Sequence, residues 1–352
     1  MSWEENIRKV VPYTPGEQPK IENIIKLNTN ENPYPPAPEV AEALAGFPAD
    51  TLRLYPDPAV SELVHAIAEY HGLTDEQVFV GVGSDDVLAV SFLTFFNSKK
   101  PLLFPDITYS FYDVWAELFR IPYERVPLDG DFGLRPEDYK RENGGIIFPN
   151  PNAPTGLLLP LDSVEEIIAA NRDVVVIVDE AYIDFGGISA ECLLSKYENL
   201  LVVRTFSKSR SMAGNRIGYA LGNPRLIKYL NDVKYSFNSY TMDSITIKCG
   251  VASMQNETYF RNTCDKIIAT RERTKTELKK LGFAFPDSSS NFLFASHERI
   301  PAKELFAALR QAGIIVRYFD KPRIDNYLRI TIGTEKEMEA LIAFLKDYIK
   351  TI

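Results

Sequence analysis

The 352-residue sequence has few of the residues that build disulfide frameworks or metal sites. It contains only three cysteines, and they lie far apart along the chain. An odd number of widely spaced cysteines predicts reduced structural thiols and therefore a cytoplasmic protein. The three histidines have no metal-ligand spacing, and there is no Gly-x-Ser-x-Gly elbow. We therefore expect neither a metal centre nor a serine hydrolase.

Long apolar runs and an excess of positive charge are also missing. No stretch approaches the ~20 apolar residues that span a bilayer, and the first residues lack the apolar core of a signal peptide. The net charge is −9, which argues against a nucleic-acid-binding surface. A content of 45% hydrophobic and 25% charged residues is typical of a globular protein. The expected partners are therefore small molecules, with no membrane and no nucleic acid.

The order of apolar runs predicts an α/β protein with two domains and an N-terminal arm. Residues 1–35 are rich in proline, asparagine and charge, as an extended arm would be. Across 36–250, short apolar strands alternate with helical patterns, which predicts a large domain with a mainly parallel central sheet covered by helices. The run Val174–Val178 has no polar alternation, as expected for a central strand. Residues 251–352 predict a smaller α+β C-terminal domain.

The most informative segment surrounds Lys208, which follows the apolar strand Leu200–Val203. A lysine can form a Schiff base with an aldehyde, the covalent link that pyridoxal phosphate uses. Thr205 and Ser207 supply hydroxyl groups beside it, and Arg216 lies in a Gly-x-Arg-x-Gly element eight residues later. Hydroxyl groups and a guanidinium suit a phosphate. Two other Ser-Lys pairs lack such an element, so Lys208 is the predicted catalytic lysine.

Three further polar residues follow predicted strands. Asp179 ends the strand Val174–Val178 and would pair with a protonated pyridine nitrogen. Tyr182, three residues later, could hydrogen-bond the phenolic oxygen of the ring. Asn152 lies in a loop with three prolines in six residues, a rigid backbone that can direct the amide to the same oxygen. The carboxyl ends of such strands are where an open α/β sheet forms its ligand crevice.

The segment from Phe79 to Asp86 runs from a strand into a helix. The free amides of that helix start, with the Ser84 hydroxyl, predict a phosphate cradle. Tyr109, past the next strand, could stack on a planar ring. The alternative is a dinucleotide-binding fingerprint, with Asp106 as its ribose-binding acid, but Asp86 occupies the position of the third glycine.

Together these motifs resemble the fold-type I pyridoxal-phosphate aminotransferases over nearly the whole chain. The Asn-Pro-Asn-x-Pro-Thr-Gly, Val-Asp-Glu-Ala-Tyr and Ser-Lys…Gly-x-Arg-x-Gly motifs stand in that family's order. The resemblance implies that Lys208 is the catalytic lysine and proton shuttle, with Asp179 and Tyr182 also at the catalytic centre. It implies a cofactor site formed by Ser84, Asp85, Tyr109, Asn152, Asp179, Tyr182, Thr205, Ser207, Lys208 and Arg216.

Further stretches resemble the branch of the family that acts on histidinol phosphate in histidine biosynthesis. They include Leu27–Pro33, Leu54–Asp57, Ile315–Arg317 and Leu328–Gly333. The resemblance implies amino transfer between histidinol phosphate and 2-oxoglutarate. It implies that Arg329 binds the α-carboxylate of glutamate and Arg317 the distal anion of either substrate, and the remaining pocket residues are Tyr13, Asn30 and Asn152. It also implies that Tyr55 reaches the partner subunit's phosphate site in a homodimer.

Three alternatives stay open on this scaffold. They are an aromatic amino-acid aminotransferase, a threonine-phosphate decarboxylase and a binding protein without turnover. The segment Tyr235–Ser239 departs from the family, which usually has a proline-containing Pro-Tyr-Asn-like run there. That departure bears on the substrate assignment more than on the cofactor assignment.

Overall fold

The computed structural model describes residues 2–20 and 23–351, and their strands form three sheets. Each strand is short, and most strands of the largest sheet are completely buried. The strands, in chain order, are β1 Ile25–Lys26, β2 Val78–Gly81, β3 Leu102–Pro105, β4 Tyr123–Val126, β5 Gly145–Pro149, β6 Val176–Asp179, β7 Leu200–Thr205, β8 Gly218–Gly222, β9 Phe283–Ala284, β10 Phe292–His297, β11 Ile314–Ile315, β12 Arg317–Tyr318 and β13 Leu328–Thr331.

The α-helices alternate with the strands through the first two thirds of the chain and cover the largest sheet. None of the described helices is long and apolar enough to cross a membrane. In chain order they are α1 Pro38–Ala45, α2 Ser61–His71, α3 Ser84–Phe95, α4 Phe111–Phe119, α5 Leu161–Ala170, α6 Pro224–Phe237, α7 Ser244–Met254, α8 Glu257–Lys280, α9 Ala302–Gln311 and α10 Glu335–Lys350.

The seven-stranded sheet confirms the predicted α/β fold class. Its order is β2-β8-β7-β6-β5-β3-β4, and only β8 runs antiparallel to its neighbours. The central strand predicted over Val174–Val178 begins two residues later and extends to Asp179. Since β5, β6 and β7 are parallel, the chain leaves all three at the same edge. The loops after these strands carry Asn152, Tyr182 and Lys208.

A smaller antiparallel sheet, β12-β13-β10-β9, lies in the C-terminal part with α8, α9 and α10. The predicted arm is only partly an arm: β1 pairs in parallel with β11, and Leu27 is buried in the C-terminal core. The apolar side chains of Ile25 and Leu27 explain this pairing, since both bury apolar surface against the C-terminal core. The domain boundaries at 35 and 250 stay a prediction.

Candidate active site

A cavity of about 420 Å³ lies at the carboxyl edge of the large sheet. Nine of the predicted residues line it, although they come from four separate parts of the chain. They are Ser84, Asp85, Tyr109, Asp179, Tyr182, Thr205, Ser207, Lys208 and Arg216. A pocket of this size with so many convergent polar and charged groups suits a small charged cofactor.

Lys208 projects into this cavity from the loop that follows β7. Its Nζ donates a hydrogen bond to the backbone oxygen of Thr29 (3.1 Å) and lies 5.8 Å from the centroid of the Tyr182 ring. The Asn32 amide donates to the backbone oxygens of Lys208 (3.0 Å) and Ser209 (3.2 Å). Residues at the end of the predicted arm therefore hold the lysine loop in place. Sequence reasoning had given neither Thr29 nor Asn32 a role at the site.

Asp179 occupies the end of β6, buried beneath the cavity. Burial raises the pKa of its carboxyl group to about 6, although a hydrogen bond from the Tyr112 hydroxyl (2.8 Å to Oδ2) acts in the opposite direction. Among the described residues, no cation pairs with this buried carboxylate. It can therefore pair with the positively charged ring nitrogen of the cofactor. Tyr112 is absent from the predicted site, because nothing in its helical pattern distinguishes it from a core tyrosine.

The phosphate end of the cavity lies at the N-terminus of α3. Gly83 adopts φ +86° there, and α3 begins at Ser84. The Asp85 carboxylate pairs with Arg216 (3.0 Å) and accepts a hydrogen bond from the Tyr109 hydroxyl (2.7 Å). Helix amides, hydroxyl groups and a guanidinium together form a set of donors that fits a phosphate.

Thr205 and Ser207 complete that end, with their hydroxyl oxygens 3.0 Å apart. The alternative of a dinucleotide fingerprint has no support here. The predicted ribose-binding acid, Asp106, instead pairs with Arg323 (2.8 Å) and accepts from the Leu128 amide. The other acid, Asp86, accepts from the Val82 amide (2.9 Å) and so stabilises the turn before α3.

Asn152 and Tyr182 lie on the opposite side, where a ring oxygen would bind. Asn152 donates to the Ile107 backbone oxygen (3.1 Å) and to Thr155 (3.0 Å), and its Oδ1 is buried without a partner among the described residues. Tyr182 accepts from the Asn30 amide (3.0 Å), which leaves its own proton free to donate. The pair thus offers one acceptor and one donor to a ring oxygen.

A second, smaller cavity of about 170 Å³ shares Tyr109, Tyr182 and Lys208 with the first. It brings together four of the five predicted substrate residues, Tyr13, Asn30, Arg317 and Arg329, whereas the fifth, Asn152, does not line it. Burial lowers the pKa of Arg329, and the neighbouring Arg317 lowers it further. The Arg329 guanidinium donates to the Asn28 backbone oxygen (2.8 Å), while its buried Nε has no partner in the described residues. Two cations in one cavity fit anionic substrates.

Two predicted residues line neither active-site cavity: Asn152, which is buried beside them, and Tyr55. Tyr55 is 83% exposed and packs against Tyr240, with ring centroids 4.7 Å apart. Within a single chain it contributes nothing to either cavity. Its predicted role in a partner's phosphate site is therefore not tested by one chain.

The fold and this site are those of a pyridoxal-phosphate transaminase. Residues 22–345 match the family model for aminotransferase class I and II, and the chain belongs to that family. The membership confirms the predicted enzyme class and the predicted cofactor, pyridoxal phosphate.

Full-length relatives place the chain in one branch of the family, and a solved structure matches its fold. The chain is 54% identical to the histidinol-phosphate aminotransferase of Lactococcus lactis subsp. cremoris (strain MG1363) over 350 residues, covering 99% of this chain and 98% of the relative. It is 52% identical to the enzyme of that name from Clostridium acetobutylicum, covering 99% of each. The fold matches a crystal structure of a histidinol-phosphate aminotransferase from Clostridium acetobutylicum with a TM-score of 0.86 at 22% identity, over 94% of this chain and 100% of that one. The branch predicted from the sequence is confirmed.

Proposed function

We propose that the protein transfers the amino group of L-histidinol phosphate to 2-oxoglutarate, giving imidazole-acetol phosphate and L-glutamate, in histidine biosynthesis. Full-length relatives of that name support the substrate assignment. The observation that carries it is the convergence of Arg317 and Arg329 on the cavity that also contains Lys208. The dianionic phosphate of histidinol phosphate suits two guanidinium groups better than the single monoanionic carboxylate of an aromatic amino acid does.

The cofactor-binding residues divide by the part of pyridoxal phosphate that they would hold. Asp179 would pair with the ring nitrogen, Asn152 and Tyr182 would bind the ring oxygen, and Tyr109 would stack on the ring. Ser84, Asp85, Thr205, Ser207 and Arg216 would hold the phosphate. When bound, pyridoxal phosphate supplies an electron sink that acidifies the Cα–H bond of an amino substrate.

Lys208 first holds the cofactor and then moves the substrate proton. The Lys208 Nζ lies between the two cavities, so it borders both the cofactor and the amino substrate. With pyridoxal phosphate bound, Nζ would be placed to take the proton from the Cα of the amino substrate. The Thr29 backbone oxygen accepts one of its hydrogens and so orients the lone pair.

The two arginines bind the anionic groups of both substrates in turn. Arg329 is buried and binds the α-carboxylate of glutamate through its guanidinium fork. Arg317 binds the distal anion, which is the γ-carboxylate of glutamate or the phosphate of histidinol phosphate. Tyr13 and Asn30 line the rest of the pocket. One site therefore serves both half-reactions.

We also propose that the enzyme is a cytoplasmic homodimer. Tyr55 packs against Tyr240, and Leu52, Leu54 and Phe237, which are close to these two in sequence, are also exposed in the single chain. Apolar patches of this kind are typical of subunit interfaces, and the partner's Tyr55 would complete the phosphate site. All three cysteines are free, which supports a reducing compartment.

The test is a screen of half-reactions on the purified protein loaded with pyridoxal phosphate. Histidinol phosphate, phenylalanine and threonine phosphate are each added, and the cofactor absorbance is followed. We expect rapid conversion with histidinol phosphate and at least 100-fold slower conversion with phenylalanine. Lys208→Ala is the negative control, and Lys99→Ala, in another Ser-Lys pair, should behave like the wild type. Preference for phenylalanine, or carbon dioxide release from threonine phosphate, would overturn the assignment.

A further inference from the structure

A third cavity, of about 650 Å³, lies outside the site just described. It is bordered by the N-terminal segment Lys9–Thr14 on one side and by α4 and Phe319 on the other. It shares Tyr13, Ser110 and Arg317 with the substrate cavity, so the two are contiguous. We call this cavity the vestibule. A substrate that crosses it reaches Arg317 before it reaches Lys208.

The charge of the vestibule is opposite in sign to that of the whole chain. Its charged lining residues are four cations and two carboxylates, a balance of +2, whereas the protein carries −9. The cations are Lys9, Arg125, Arg317 and Lys321, and the carboxylates are Asp113 and Glu117.

The two carboxylates are already engaged with neighbours. Asp113 pairs with Arg125 at 2.8 Å, and Glu117 accepts a hydrogen bond from the Tyr123 hydroxyl at 2.9 Å. Across residues 2–20 and 23–351, no carboxylate pairs with Lys9, Lys321 or Arg317. In that part of the chain, the unpaired cations of the vestibule are therefore the exposed ammonium groups of Lys9 and Lys321 and the guanidinium of Arg317. They give the vestibule a positive electrostatic potential.

We propose that the vestibule is an electrostatic funnel that captures dianionic substrates and delivers them to Arg317. The proposal rests on the proposed function, whose substrates are 2-oxoglutarate and a phosphate ester. A strongly acidic protein repels such dianions at long range, and a local basic cleft reverses that repulsion. Clefts of one sign raise association rates about 10- to 1000-fold, and the gain falls as salt is added. Lys9 and Lys321 thereby act on substrate capture.

The experiment measures the second-order rate constant of the 2-oxoglutarate half-reaction by stopped-flow absorbance of the enzyme loaded with pyridoxamine phosphate, the cofactor form that carries the amino group to be transferred. Salt is varied from 10 to 300 mM, because the Debye length falls from about 30 Å at 10 mM to less than about 10 Å above 0.1 M. We expect Lys321→Glu to lower this constant about fivefold at 10 mM salt and less than twofold at 300 mM. The wild-type constant should itself fall as salt increases. The loss should appear in kcat/KM rather than in kcat.

Lys346→Glu on α10 is the matched control, because it changes the net charge equally at an exposed position that lines none of the three cavities. Lys9→Glu should reproduce the effect of Lys321→Glu from the other side of the vestibule. The funnel is refuted if Lys321→Glu and Lys346→Glu have the same effect, or if the wild-type constant does not respond to salt. A protein that reacts with 2-oxoglutarate and ignores histidinol phosphate would refute the proposed function and leave this comparison intact.

Discussion

Asp179 and Tyr112 form a buried pair, and the Tyr112 hydroxyl is the side-chain donor to the Asp179 carboxylate, beside the Ala181 backbone amide (3.3 Å). The carboxyl group lies in an environment that raises its pKa to about 6, and the Tyr112 hydroxyl stabilises the charged form. A hydrogen bond to a charged group contributes about 1.5–3 kcal/mol. Without it, the carboxyl group would stay protonated to a higher pH and would pair less well with a pyridinium nitrogen. Tyr112 is therefore a positioning residue for Asp179.

Tyr112→Phe should move the acidic limb of the kcat/KM profile to higher pH by about one unit. The sign follows from the hydrogen bond, which lowers the pKa of Asp179, so that its loss raises that pKa. The loss of kcat/KM should grow as the pH falls and approach about tenfold on the acidic side of the limb, with much of the activity recovered at pH 8. Tyr197→Phe is the matched control, since its hydroxyl also donates to a carboxylate, Glu165 (2.8 Å), outside both active-site cavities. An unshifted limb would show that Tyr112 serves packing alone.

At the scale of elements, the sequence predicted the strand ends better than the contacts between distant segments. Strands β5, β6 and β7 are continuous apolar runs, so the polar residues that follow them mark the crevice directly. The contacts of Thr29 and Asn32 with the lysine loop join residues more than 170 positions apart. No local periodicity encodes such a pairing. Tyr112 was missed for a related reason, because its partner lies on another element.

The antiparallel pair β2 and β8 sets the position of the phosphate end. Gly81 is opposite Gly218, and a Cβ on Gly218 would overlap the backbone of Gly83 and the amide nitrogen of Ser84. Since these atoms are backbone, a side chain cannot rotate away to make room. The start of α3 would have to shift, and its amides would no longer converge on one phosphate.

Gly218→Ala should therefore weaken pyridoxal phosphate binding at least tenfold, as measured by titration of the cofactor-free protein. Gly130→Ala is the control, because a Cβ there has no heavy atom within 4 Å, and binding should stay within twofold of the wild type. A thermal unfolding curve for each variant separates a local effect from general misfolding. If Gly218→Ala binds the cofactor normally, the cradle is less rigid than its close packing indicates.

For the whole molecule, the exposed aromatic patch predicts association. Phe237, at the end of α6, is 77% exposed and lies in the segment that departs from the family pattern. Phe237→Asp should shift sedimentation from a dimer toward the 39.8 kDa monomer and reduce cofactor retention. Ile188→Asp, at a side chain that is 68% exposed outside the patch, should stay dimeric. A wild-type protein that sediments as a monomer would contradict the predicted homodimer.

The free energy of unfolding of the cofactor-free protein should change with pH because Asp179 titrates. The pKa of its carboxyl group is raised from 3.8 to about 6 in the folded state, so the folded protein holds a proton that the unfolded chain releases. The stability from this group is fully present below pH 3.8 and is lost as the pH rises to about 6, with a total of about 3 kcal/mol. Asp179→Asn removes this titrating group. The free energy of unfolding of the variant should therefore rise relative to that of the wild type between pH 4 and pH 6. Denaturant unfolding of both proteins measures that difference at a fixed protein concentration.

With pyridoxal phosphate bound, the pyridinium nitrogen stabilises the Asp179 carboxylate and the wild type should instead be the more stable. A difference that does not change with pH in the cofactor-free protein would mean that Asp179 stays ionised, and that another cation already neutralises it.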